Sequence, residues 1–393
     1  MNDLFNASRA TQVLNESGVD AVLATRPENW LYLTGMRDSV AATIGLPTVA
    51  LLTRTPLVLR AIAIPRLIAG FATASIDEGC DVAVYGEFPI SNEAASHHEL
   101  DQATRDLLER ADDAAATVAD AVDLLLRRAS LERARIAVDD PGIAQIVAER
   151  LPSCRIEPGR PLLERIRAVK TDPEIARLAA VVRIVEELEA LAFQHIQAGK
   201  VWDDFVGRLP ALTAERGATF GFFSGGAGWR SGFLFPPVEE PLARGDLVRL
   251  DITIERLGYW ADTGRTACVG EPSELVSGRY AAIRGAVEAG LAAIRPGVRV
   301  AEIYDIAMGK ATLGIAGYRR KHVGHSIGAR PYDGFLVAPD DATQLEPNMV
   351  LNVEVPYYGV GWGGLQLEET VVVTADGCVP LTKMSRDLVA VPA

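Results

Sequence analysis

Between residues 247 and 255 apolar and polar side chains alternate without a break. Val248, Leu250, Ile252 and Ile254 fall on one face of an extended chain, and Arg249, Asp251, Thr253 and Glu255 on the other. Period two of this kind predicts a half-buried strand. A second strand is predicted over 259–269, after a tight turn near 256–258. With the turn centred on Arg256 and Leu257, Asp251 and Asp262 become cross-strand partners, their Cβ atoms about 4.5–5.5 Å apart on one face. Two carboxylates so close repel unless one is protonated or a cation lies between them. The hairpin alone points to a metal site.

The same patterning sets out the rest of the chain. Residues 1–160 read as one α/β domain. It has a short amphipathic helix at 7–16 and strands at 21–25, 48–54, 57–61, 81–85 and 135–138, with helical stretches at 99–128 and 141–151. The segment NWLYLTG, 29–35, leads into a turn. His97 and His98 are adjacent, so their side chains diverge, and no carboxylates flank them; they read as solvated surface. The domain boundary falls near 157–170, leaving residues 161–393 as a second domain. There Thr171, Pro173 and Glu174 form a helix start, and Ile175, Leu178, Val182, Val185 and Leu188 make the apolar stripe of a helix reaching 196. A second helix covers 202–216. The run TFGFFSGGAGWRSGFLFPP, 219–237, holds too many glycines for a regular element and matches no nucleotide fingerprint. It reads as a pocket wall or as core packing. Helices follow at 277–294 and 300–313, then strands at 349–355 and 365–374 around a glycine-rich turn, 359–364. Helix–hairpin–helices–hairpin is a duplicated layout, and the fold class is α+β.

Bulk properties narrow the function. A chain of 393 residues suits two domains, and 49% apolar residues suffice for a sizeable core. The net charge of −13 leaves no basic surplus for phosphates and excludes nucleic acid as a partner. Cys80, Cys154, Cys268 and Cys378 show no paired spacing, as expected of free thiols in a reducing compartment. The first ten residues, MNDLFNASRA, lack the basic-then-apolar layout of a signal peptide, and no apolar run reaches the ~20 residues of a membrane span. The expected location is the cytoplasm.

The second hairpin repeats the carboxylate theme. Glu354 shares a strand face with Val350 and Asn352, and Glu368 with Gln366 and Thr370. Antiparallel pairing through the glycine turn brings the two together. His325, in Gly324-His325-Ser326-Ile327-Gly328, supplies an imidazole where glycines permit close backbone approach. Arg249 and Arg265 are the main basic residues near enough in sequence to compensate the carboxylates. Asp251, Asp262, His325, Glu354 and Glu368 together offer mostly oxygen donors and one nitrogen. That set suits two divalent ions of Mn, Co, Zn or Fe rather than a thiolate site. Two such ions about 3.5–4 Å apart can share and activate one hydroxide and polarise a carbonyl.

In these segments the chain resembles the creatinase/prolidase/aminopeptidase P family. The likeness lies in GDLV, LD…ADTGRT, GHSIG, NVE and LEETVVVT, and extends to LLERIRAVKTDPEIARL and NWLYLTG, so it spans nearly the whole chain. The resemblance implies an N-terminal creatinase-type domain followed by a pita-bread catalytic domain. It implies that Asp251 binds one metal, that Asp262 and Glu368 bridge both, and that His325 and Glu354 complete the second, with Glu354 also handling protons. It further implies a homodimer in which N-terminal residues of one chain, near Trp30 or within 36–40, rim the other's active site.

The chain departs from that family around the substrate. Its peptidases carry histidines where this chain has Leu234 and Tyr332, and an arginine where it has Gln366. Their Glu-Pro-Gly becomes Glu354-Val355-Pro356. Tyr332 keeps a hydrogen-bond donor. His322 can donate to a substrate carbonyl or carboxylate, or simply cap its turn. The expected activity is metal-dependent hydrolysis of a peptide-type amide in a small substrate, of the X-Pro dipeptidase or aminopeptidase kind. The alternative on the same scaffold is creatinase-like C–N hydrolysis of a small molecule, or a metal-assisted lyase.

Overall fold

The structure is a computed structural model that describes residues 2–37, 40–75, 79–91, 98–110 and 115–393. His97 and residues 38 and 39 lie outside it. His98 is exposed and accepts from the Leu100 amide at 3.2 Å. The chain divides into two compact units, Met1–Arg167 and Ala168–Ala393.

In the first unit six strands form a mixed sheet among the described residues: β1 Ala21–Ala24, β2 Val49–Arg54, β3 Leu57–Pro65, β4 Asp81–Tyr85, β5 Arg135–Val138 and β6 Arg155–Pro158, in the order β4-β3-β2-β1-β5-β6. The continuous apolar runs of β1 and β2 suit central strands covered on both faces, and Leu23, Leu51, Val122, Leu125 and Val147 lie in the resulting core. Two expectations change here. The segment predicted to lead into a turn forms a helix, Pro27–Thr34, with proline in its first turn and Gly35, at φ +74°, ending it. The 99–128 stretch gives two helices, Glu99–Arg110 and Val118–Arg128, the second opened by a reciprocal Thr117–Asp120 capping box.

The second unit is built on a largely antiparallel sheet. Its strands are β7 Thr219–Phe223, β8 Gly226–Ala227, β9 Leu247–Arg256, β10 Tyr259–Val269, β11 Gly324–Ser326, β12 Val350–Glu354, β15 Glu368–Val373, β16 Cys378–Pro380 and β17 Val389–Val391. The path runs β11-β12-β15-β10-β9-β7, with β8 on β9, β16 on β15 and β17 parallel to β10. β13 Tyr357–Gly359 and β14 Gly363–Leu365 form a separate ribbon at the tip of the β12–β15 hairpin. Each hairpin has its own pair of helices. Asp172–His195 and Trp202–Ala214 pack on Val248, Leu250, Ile252 and Ile254 of β9. Glu274–Ala293 and Val300–Gly314 pack on Leu351, Val353, Val371 and Val373 of β12 and β15. Each such buried aliphatic side chain contributes roughly 1.5–3 kcal/mol, so the helices fix which face of each strand is left for chemistry. The first helix opens at Thr171 with the predicted capping box to Glu174.

Two further expectations are corrected. β9 is not half-buried: both its faces are covered from Leu247 to Glu255. Its polar face lies beneath other polar groups, and Arg249 there donates to the carbonyls of Ser224 at 2.6 Å and Ser231 at 2.8 Å. Nor is 219–237 without regular structure. β7 pairs with β9 across an irregularity between Phe220 and Phe222, so a strand already in the sheet templates it despite the glycines.

Candidate metal centre

The first hairpin turns on Leu257 and Gly258, both at positive φ, with Arg256 opposite Tyr259. Paired left-handed residues are what a two-residue hairpin turn requires. Asp262 therefore faces Thr253, and Asp251 faces Gly264. The two aspartates are diagonal neighbours on one face rather than direct partners, because moving the turn by one residue shifts the register by two. They still lie close enough for the charge of Asp251 to raise the Asp262 carboxyl. Gly264 has a reason to be glycine: a Cβ there would overlap Gln366 Cγ, whose side chain crosses that spot. The second hairpin places Glu354 directly opposite Glu368.

His325 arrives from β11, paired with Asn352 of β12. Gly324, at φ +151°, runs so close to the Asn352 carbonyl that a Cβ would collide with it. His325 Nε2 lies 3.7 Å from Glu368 Oε1 and 4.0 Å from Asp262 Oδ2. One ligand atom from each of Asp262, His325 and Glu368 lies within 4.8 Å of the other two, and all three residues are buried. Thr253 donates to Asp262 at 2.8 Å and Asn352 to Glu368 at 2.8 Å. The Gln366 amide donates to Glu368 at 3.2 Å and Glu354 at 3.4 Å.

The electrostatics carry the mark of missing positive charge. Burial, then the charges of Glu368 and Glu354, push Asp251 well above the usual carboxylate range, while Arg249 opposes them. Burial, then Glu368 and Asp251, do the same to Asp262. Glu368 is raised by burial and by Glu354, against the pull of His325. Burial alone would lower His325, but the nearby carboxylates of Glu368 and Glu354 leave it raised.

The nearby cations are few. Arg249 stands 3.8 Å from Asp251, and Arg320 3.6 Å from Glu354. Arg265, the other candidate from sequence, points to the opposite face and pairs with Glu369 at 2.7 Å. Asn352 Oδ1 and Gln366 Oε1 are buried acceptors without a hydrogen-bond donor among the described residues. Two carboxylates and an imidazole within mutual reach, two further carboxylates whose charges act on them, and unmatched acceptors fit hard or borderline divalent cations.

Around this cluster, His322 Nδ1 lies 3.4 Å from Glu354, and burial lowers its pKa against the pull of Glu354. Tyr332 stacks on the His325 ring at 3.9 Å and meets His322 edge-on at 6.0 Å. Burial and then the carboxylates raise the Tyr332 phenol, so it stays protonated. The following residue, Asp333, faces Lys170 at 3.8 Å with both side chains buried. Leu234 is exposed. Arg320, Asn352 and Thr253 were not singled out in sequence for this cluster. Asn352 and Thr253 share strand faces with Glu354 and Asp251, so period two could have found them. Arg320 sits in a loop, where no such signal exists.

A profile of metallopeptidase family M24 matches residues 176–375, which contain all of these carboxylates and His325. The probable dipeptidase PepE of Mycobacterium tuberculosis is 30% identical over 243 residues, 59% of this chain and 63% of that protein. The Xaa-Pro dipeptidase of Pyrococcus horikoshii is 27% identical over 232 residues, 58% of this chain and 66% of that one. Both alignments span less than two thirds of the relative. Folds agree further: dipeptidase PepE from Mycobacterium ulcerans superposes with a TM-score of 0.77 at 22% identity, covering 98% of this chain and 97% of the other. The prolidase from P. horikoshii gives 0.76 at 20%, covering 98% and 99%. Identities this low establish the pita-bread fold alone. With the profile spanning both hairpins and His325, the chain belongs to metallopeptidase family M24.

Proposed function

We propose that the protein is a dinuclear metal-dependent peptidase that cleaves a peptide-type amide in short substrates of the Xaa-Pro class. The observation that carries this is the buried meeting of Asp262, His325 and Glu368, with the charges of Asp251 and Glu354 acting on it and few cations beside it among the described residues. In this reading Asp251, Asp262, His325, Glu354 and Glu368 would hold the ions. Divalent ions bound there would supply a water nucleophile acidic enough to ionise near neutral pH and would polarise the scissile carbonyl. The protein's own groups do the rest. Thr253, Asn352 and Gln366 fix the carboxylate orientations. Glu354 accepts and returns the proton, with His322 beside it. Tyr332, held protonated, donates a hydrogen bond to the substrate or the tetrahedral intermediate.

The catalytic domain of this proposal is residues 161–393, with 1–160 the accompanying domain. A homodimer in the cytoplasm is part of the same reading. A second reading, small-molecule C–N hydrolysis or a metal-assisted lyase, is favoured by Leu234 and Gln366, which stand where peptidases of the family carry histidine and arginine.

A panel of Xaa-Pro dipeptides and Xaa-Pro-Xaa tripeptides, assayed with Mn²⁺, Co²⁺, Zn²⁺ or Fe²⁺, tests the choice. Metal-dependent release of the N-terminal residue supports the peptidase. Bound metal without turnover of any peptide transfers the site to the second reading.

A further inference from the structure

Lys170 is a buried cation outside the carboxylate cluster, and its Nζ stands 3.8 Å from Asp333 Oδ2, itself buried. The segment that carries Lys170 is fixed along its length. Val169 bridges to Met349, and the Lys170 amide donates to the Asn348 carbonyl at 3.0 Å. The Thr171 amide donates to Glu174 at 2.8 Å, and Glu174 in turn accepts from the Tyr259 hydroxyl at 3.0 Å. Asp333 closes a short loop against this support. Its amide donates to the Ser326 carbonyl at 3.0 Å, and its carboxylate accepts from the Ala329 amide at 3.2 Å. Within the loop the Gly328 amide donates to the Arg330 carbonyl at 3.1 Å, and the Gly328 carbonyl accepts from Trp260 of β10 at 2.9 Å. A Cβ on Gly328 would overlap Asp333 Oδ2 and press on Lys170 Nζ. Ammonium, carboxylate and loop backbone are therefore packed in contact. Tyr332, the residue before Asp333, is 41% exposed and lies on the His325 ring at 3.9 Å. One residue turns into the buried pair and its neighbour faces the metal-binding cluster.

We propose that Lys170 is a positioning residue for Tyr332: its ammonium, set against Asp333, holds the loop 328–333 so that the phenol stays on the His325 ring beside the cluster. The inference rests on the peptidase reading above, in which Tyr332 donates a hydrogen bond during the reaction. A buried ion pair is a poor source of stability, because desolvation offsets its attraction and apolar residues of similar size often serve as well. An asparagine at 333 would still accept from Ala329 and close the loop. The charge on Lys170 adds a fixed point for the carboxylate, and through it for the backbone that aims Tyr332. A donor displaced by about 1 Å loses roughly 10²-fold in rate, so such a fixed point has a kinetic consequence. Lys170 itself touches no reacting atom.

The test is a double-mutant cycle on Ala-Pro, with wild type, Lys170→Met, Tyr332→Phe and the two combined, each loaded with Mn²⁺ and matched for metal content. Lys170→Met should lower kcat roughly 10–100-fold with KM little changed. In the Tyr332→Phe background the same substitution should cost less than about twofold, because the group it positions has already gone. Losses of equal size in both backgrounds would assign Lys170 to general support of the fold and overturn the proposal, as would no loss in either. If no peptide is turned over, or if Tyr332→Phe leaves kcat unchanged, it is the catalytic reading that fails, and the placement of the ring is decided by a spectrum. In Zn²⁺-equilibrated protein labelled with 3-fluorotyrosine, the ¹⁹F resonance missing from Tyr332→Phe belongs to Tyr332. Lys170→Met should shift that resonance and leave those of Tyr280 and Tyr304 in place. A Tyr332 resonance that does not move refutes the positioning role. Should Lys170→Met not fold, the double variant Lys170→Met/Asp333→Asn, which leaves no unpaired charge in the pair, takes its place in each comparison with the same expected losses.

Discussion

Glu368 and Glu369 are neighbours in one strand, and their surroundings differ completely. Both are buried. Glu369 faces the helices, where it accepts from Arg265 at 2.7 Å, Thr382 at 2.7 Å and Arg386 at 3.1 Å. Glu368 faces the other way, among Asp251, Asp262 and Glu354, with one histidine and two amides for company. The difference separates a charge that completes a structure from one that awaits a ligand. A buried carboxylate with its arginines in place needs nothing more. A buried carboxylate surrounded by others is strained until a cation arrives or a proton is taken up.

That contrast can be broken from either side. Glu368→Ala should abolish divalent-metal retention and lower kcat/KM by roughly 10³-fold or more, as expected when several kcal/mol of metal-derived stabilisation is lost. Its folded stability without metal should not fall, because one repelling charge has gone. Glu369→Gln should do the reverse, with an unfolding free energy lower by about 3–5 kcal/mol as Arg265 and Arg386 lose their partner and metal content unchanged. Elemental analysis and denaturant unfolding of the two variants, side by side, would read both outcomes.

The helix-side face also holds Glu189, wholly buried near Arg265. Burial pushes its carboxyl up to about 7 from 4.5, against the pull of Arg265. The folded chain thus keeps a proton that the unfolded chain releases, so stability falls as pH rises from about 4.5 to about 7 and levels off above. The shift corresponds to up to about 3 kcal/mol. Glu189→Gln should therefore gain on wild type between pH 5 and pH 8, measured as the difference in unfolding free energy at each pH. A difference that does not vary with pH would mean Glu189 is ionised and paired with Arg265, like Glu369. The smallest expected effect concerns Tyr332. If it donates during catalysis, Tyr332→Phe lowers kcat by roughly 10²-fold with metal content intact; an unchanged rate reduces it to a stacking partner of His325.

Much of this arrangement was legible in the alternation of side chains. Period two put Asp251 with Thr253, Glu354 with Asn352, and Glu368 with Gln366, and the structure keeps each set on one face of its strand. The register of the first hairpin was not legible, because it depends on Leu257 taking a left-handed conformation that a bulky residue rarely adopts. The place of Arg265 was legible and was misjudged. Three residues from Asp262 along a strand is an odd step, and an odd step changes face. Strand β7 escaped notice because its glycines argue against a strand, while its pairing comes from β9, a tertiary contact. Arg320 lies in a loop, where no period exists to assign it a direction.

The central claim is that the face bearing Glu368 holds metal and the face bearing Glu369 does not. The direct measurement is the metal content of purified protein after equilibration with Mn²⁺ and removal of free ion, for wild type, Asp262→Ala, Glu368→Ala and Glu369→Gln. The account predicts stoichiometric metal in wild type and Glu369→Gln, and none retained in the other two. A wild-type protein that binds no divalent ion, or that turns over its substrate with the metal fully removed, would contradict it.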